Sequence, residues 1–144
     1  MRYLIKAKLK PGKRDGLLQA IDREELGRGS VAESEYLHDM AHARQLADHT
    51  VCWIETCFCP TPLEEERPYW EEYFELLQIK NAHNHRRCQD LNGTQAWACC
   101  DCDCTKRLEA KMENWGRRFI SELRTTSNQG IGQKGEEECQ KQKT

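Results

Sequence analysis

No stretch of the 144-residue chain approaches the roughly 20 consecutive apolar residues of a membrane span. A charge excess is missing too: the formal net charge is −2 and the pI about 6.2. That balance gives no global reason to bind nucleic acid or an anionic membrane. The N-terminal residues Met1 to Lys8 alternate charged with apolar side chains and lack the apolar core of a signal peptide. A cytoplasmic protein with reduced thiols is therefore expected. Familiar cofactor motifs are absent as well. Gly27-Arg28-Gly29-Ser30 has neither the Lys-Ser/Thr ending of a P-loop nor dinucleotide-type glycine spacing, and reads as a connection. There is no ferredoxin-type C-x-x-C-x-x-C run. His38 and His42 stand four apart without the glutamate of His-Glu-x-x-His, so a solvated helix face is expected there.

What the chain does have is cysteine, nine in all. The odd number and the reducing compartment argue against a complete disulfide set and for metal ligation. Length and composition fit one domain able to bury a core without disulfides. We take residues 1–125 as that domain, and the polar 126–144, which includes Cys139, as a disordered tail.

Periodicity gives the elements. Met1, Tyr3, Ile5, Ala7 and Leu9 share one strand face, and Pro11-Gly12 ends it in a turn. A short helix through Leu17, Leu18 and Ile21 follows, then a helix from Ser34 to about Ala47 and a turn at Asp48-His49. Thr50 to Cys59 reads as a second strand. Thr61, Pro62 and Glu64 predict a helix start, with Tyr69, Trp70, Tyr73, Phe74, Leu77 and Ile79 as its apolar face and a kink or restart at Pro68. Asn81 to Thr94 is turn-rich, and Trp97 to Cys104 is expected to be extended. Thr105 then caps a last helix carrying Leu108, Met112, Trp115, Phe119 and Leu123. The fold class is α+β: a small antiparallel sheet covered by amphipathic helices. Lys6, Lys8 and Lys10 mark an exposed sheet face. Lys106, Arg107, Lys111, Arg117 and Arg118 give the last helix a basic side, too narrow to predict nucleic-acid binding.

Two cysteine pairs precede predicted helix starts alike: Cys57-Phe58-Cys59 and Cys102-Asp103-Cys104. Free N–H groups and the helix dipole stabilise thiolate at such a start. Alternate strand residues are roughly 6.6 Å apart, whereas two sulfurs on one zinc are roughly 3.8 Å apart, so the chain must bend locally. Cys57, Cys59, Cys102 and Cys104 are the expected ligands, with Cys88, Cys99, Cys100 and His83 as further candidates and His85 nearby. A structural zinc is expected. The alternatives are an iron–sulfur redox centre, or a metalloenzyme with an open coordination position using Glu55, His83 or His85. No catalytic residue is assigned, and no small-molecule ligand is indicated. Cys52 is expected to be a buried, inert thiol. Glu55 is read as a buried acid or as the partner of Arg86 or Arg87. The acidic run Glu64 to Glu66 is read as helix N-terminal charge with a solvated face.

The strand Arg2–Leu9, the Pro11-Gly12 turn, and Met40 to Leu46 running through Asp48 into the strand Val51–Phe58 resemble the dimeric, ferredoxin-like α+β barrel class, including YCII-like proteins. The cysteine-rich second half resembles a bacterial protein family. The first resemblance implies a ferredoxin-like sheet and a homodimer, and transfers no catalytic residue.

Overall fold

The computed structural model describes residues 1–82 and 103–132, with side chains to Thr125. Cys88, Cys99, Cys100, Cys102, Cys139, His83, His85, Arg86 and Arg87 lie outside these residues. The elements run β1 (Arg2–Leu9), α1 (Arg14–Asp22), α2 (Glu35–His42), β2 (Arg44–Gln45), β3 (Val51–Thr56), α3 (Arg67–Glu71), β4 (Phe74–Asn81), α4 (Cys104–Lys111), β5 (Arg117–Arg118) and α5 (Phe119–Gly132). The strands form one sheet in the order β4-β1-β3-β2-β5, with every neighbour antiparallel. The α+β class is therefore as expected. No helix among the described residues is long and apolar enough to cross a membrane.

Alternation along the two central strands divides the core. Tyr3, Ile5 and Ala7 of β1 and Val51 and Trp53 of β3 face the main core, against Leu17, Tyr36, Met40, Trp70, Phe119 and Leu123. Its centre is aromatic: Trp53 lies 4.5 Å from Trp70 and 5.2 Å from Phe74, and Tyr36 lies 4.9 Å from Trp70, between ring centroids in tilted arrangements. The other face is not simply solvated. Cys52, Ile54 and Leu4 pack there against Met112 and Leu108 of the α4 segment. Arg2 is buried on that side and donates from Nε to Thr105 Oγ1 at 2.6 Å.

Three expected helices end differently. α2 stops at His42 because Ala43 turns extended; its carbonyl accepts from Phe119 N, and Arg44 and Gln45 then pair with both β3 and β5. The helix expected from Thr61 does not begin there. Leu63 takes φ +58°, which interrupts right-handed winding, and α3 starts only at Arg67 with Pro68 in its first turn. Phe74 to Asn81, expected as helix, is strand β4. Lys6 pairs with Gln78 and Ala7 with Leu76, so Leu77 is skipped as a bulge. The bulge flips parity: Phe74 and Leu76 face the core before it and Ile79 after it, while Leu77 is left exposed. Apolar residues at 74, 76, 77 and 79 therefore mimic helical spacing.

The last expected helix is split into α4 and α5 by Gly116. Its φ is +49°, and a Cβ there would lie 2.0 Å from the Gln45 carbonyl oxygen. This close approach lets Arg117 and Arg118 pair with β2. Thr105 does not cap: α4 begins at Cys104, preceded by Asp103, with no side-chain cap bond. α5 continues past Thr126, where the tail was expected to begin, to Gly132.

Gly116→Ala should cost about 2 kcal/mol or more in denaturant unfolding, combining a left-handed φ with a backbone clash. Gly12→Ala, also at positive φ but with nothing near the new Cβ, should cost only about 1 kcal/mol.

Candidate metal centre

β3 delivers its last residues into a short loop pinned by the chain's start. Cys57 N donates to the Met1 carbonyl at 3.0 Å, and the Met1 ammonium donates to the Cys57 carbonyl at 3.1 Å. The loop then curls back. Cys59 N donates to Cys57 Sγ at 3.3 Å, and the Leu63 N–H also bonds to that sulfur. Leu63, fully buried and at positive φ, turns the segment so that Glu66 returns beneath the two cysteines.

Three potential ligand atoms converge there: Cys57 Sγ, Cys59 Sγ and a Glu66 carboxylate oxygen, all within 4.8 Å of one another. Glu66 Oε1 accepts from Cys57 Sγ at 3.4 Å and from Cys59 Sγ at 3.7 Å. A tetrahedral ion with metal–sulfur near 2.3 Å and metal–oxygen near 2.0 Å sets sulfur and oxygen ligands roughly 3.5 Å apart, so the geometry suits one. Cys57 and Glu66 are buried and Cys59 is half-buried beside a cleft of about 330 Å³, bounded by Ala32, Glu35, Phe58 and Glu65. Burial pushes the Cys57 thiol up to about 12, against the two N–H groups that favour its thiolate. Without a cation this sulfur keeps its proton.

Beneath the site lies a second concentration of acid. Glu55 is fully buried, and its Oε1 accepts from Trp53 Nε1 at 2.7 Å and Trp70 Nε1 at 3.0 Å. Its Oε2 and the Oδ2 of neighbouring buried Asp39 have no hydrogen-bond donor among the described residues. Burial raises both carboxyls, Glu55 to about 7 and Asp39 well above the usual carboxylate range. A proton held between the two reconciles their contact with the indole donors. Among the described residues, no Lys or Arg forms an ion pair with Asp39, Glu55 or Glu66.

Comparison with family models, curated proteins and solved structures finds no match. The site therefore rests on its own geometry.

Of the expected ligands, Cys57 and Cys59 come together. Cys104 does not join them among the described residues: it begins α4, the helix on the opposite sheet face, and its sulfur accepts from Arg107 at 3.7 Å. The helix-start argument changes accordingly. Cys57 receives loop N–H groups rather than a helix end, because α3 begins eight residues after Cys59. Cys52 is buried as expected, against Ile54 and Met112. Glu66 went unnoticed in sequence because it sits in the Glu64–Glu66 run, read as solvated; burial singles it out. Glu55 proves to be a buried acid whose indole partners lie two residues before it and on α3.

Glu55→Leu should destabilise the fold by about 2–4 kcal/mol, because it strands two buried indole N–H groups. Glu55→Gln keeps an oxygen for both and should cost less than about 1 kcal/mol. Urea unfolding of the two variants checks this.

Proposed function

We propose that this chain is a metal-binding protein whose structural zinc is held by Cys57, Cys59 and Glu66. The observation that carries this reading is the buried Glu66 carboxylate facing two sulfurs at the edge lengths of a tetrahedral ion, with no basic side chain of the described residues paired to it. Burying such a charge is costly unless a cation or proton compensates it. A divalent ion would displace the two thiol protons and bind two thiolates and a carboxylate. An oxygen ligand favours zinc over an iron–sulfur cluster, which is held by thiolates. Cys102, Cys88, Cys99, Cys100 and His83 lie outside the described residues and compete with water for the fourth position.

The metal would tie the exit of β3 to the turn before α3, and so contribute to folding. The strand order β4-β1-β3-β2, all antiparallel, supports a ferredoxin-like reading of this sheet. The homodimer implied by that class is tested by light scattering.

Elemental analysis of purified protein, with single substitutions, tests the site. Wild type should carry zinc, and a strong chelator should lower its Tm. Cys57→Ser and Cys59→Ser should each weaken zinc binding at least about 100-fold, and Glu66→Gln about 10- to 100-fold. Cys52→Ser should leave the metal content unchanged. Serine replacements at 88, 99, 100 and 102, with His83→Ala, then identify the fourth ligand. Full occupancy in both Cys57→Ser and Cys59→Ser would refute the site.

A further inference from the structure

A second cluster of ligand atoms lies on the opposite side of α2 from the aromatic core. His38 and His42, four apart on that helix, stack with ring centroids 4.3 Å apart. Glu109, 71 residues along the chain from His38, reaches across from α4. His38 Nε2 lies 2.9 Å and 3.2 Å from its two carboxylate oxygens. One ligand atom from each of the three residues falls within 4.8 Å of the others.

The orientation of His42 is fixed by a bond that leaves a ligand atom available. Its Nδ1 donates to the His38 carbonyl at 3.0 Å, which sets the tautomer and leaves Nε2 with its lone pair as a potential ligand atom. His38 Nε2 now shares a proton with Glu109; moving that proton to Nδ1 would turn Nε2 into a donor to metal. Two imidazoles from one helix and one carboxylate from another suit zinc and similar divalent ions, and three protein ligands leave a coordination position open. His42 and Glu109 line a cleft of about 450 Å³ with Arg44, Lys106, Glu113 and Arg118. Two of the cations are anchored by backbone: Arg44 donates to the Trp115 and Gly116 carbonyls, and Arg118 to the Ala41 carbonyl. Three cations outnumber two carboxylates there, and a bound divalent ion would add to the excess.

We propose that His38, His42 and Glu109 form a second, exchangeable divalent-metal site whose open position faces this cleft and accepts a small oxyanion. It shares no ligand with the Cys57–Cys59–Glu66 site, so either can fail without the other.

The test uses the tag-free full chain and cobalt(II), whose visible spectrum separates thiolate from imidazole ligation. Wild type should bind a second equivalent without new sulfur-to-metal charge transfer. His42→Ala, a change at an exposed residue bonded only within its own helix turn among the described contacts, should weaken that second equivalent at least about 10-fold. It should leave the first equivalent and the circular dichroism spectrum unchanged. Glu109→Gln should behave likewise, and Cys57→Ser should retain the imidazole-bound equivalent. Inorganic phosphate should perturb the spectrum of the second cobalt, and less so in Lys106→Gln. Unchanged second-equivalent affinity in folded His42→Ala and Glu109→Gln would overturn the metal site. A spectrum indifferent to phosphate would overturn the oxyanion position.

Discussion

Buried acid is the constraint around which this domain is arranged. Asp39, Glu55 and Glu66 are almost wholly withdrawn from solvent along one side of β3 and α2. A carboxylate in that setting must be protonated, hydrogen-bonded or paired with a cation. Glu55 Oε1 meets the requirement through the N–H groups of Trp53 and Trp70, while Glu55 Oε2 and Asp39 Oδ2 have no donor among the described residues, a lack that a proton shared between the two raised carboxyls would fill. The indole bonds hold the two tryptophans at the centre of the aromatic core, so the polar network and the packing order each other. Glu66 has only weak thiol donors among its described partners. Under the proposed reading, a cation shared with the two sulfurs beside it would compensate the buried Glu66 carboxylate.

The sheet explains why the two halves of the cysteine pattern separate. Side chains alternate across β3, so Trp53, Glu55 and, beyond the strand, Cys57 belong to the main core, while Cys52, Ile54 and Thr56 face α4. Cys104 starts α4 and so arrives on the second face. Two similar motifs in sequence thus acquire different surroundings: one in a loop bent by Leu63, the other in the first turn of a helix. α2 and α4 still meet beside β3, where β2 pairs with only its first two residues, and His38 and Glu109 join them there.

Much of this was legible from residue spacing. The period-two pattern of Tyr3, Ile5 and Ala7 and the run from Val51 carried the two central strands, and Pro11-Gly12 and Asp48-His49 carried the turns. The α+β class followed from those. What spacing could not carry was anything that breaks a period. Leu77 slips β4 by one residue, Leu63 reverses the winding of a well-signalled helix start, and Gly116 splits a long apolar repeat because a carbonyl 71 residues earlier needs the room. The candidate ligands divide the same way. Cys57 and Cys59 are visible as a local pair. Glu66 and Glu109 are ordinary charged residues until the fold buries one beneath two thiols and sets the other against two imidazoles.

Zinc K-edge X-ray absorption on the protein loaded with one equivalent of zinc tests the central claim most directly, because it reads ligand type without a substitution. A sulfur shell near 2.3 Å together with an oxygen shell near 2.0 Å is the expected result. A shell of nitrogen and oxygen alone, with no sulfur scatterer, would contradict a centre built on Cys57, Cys59 and Glu66.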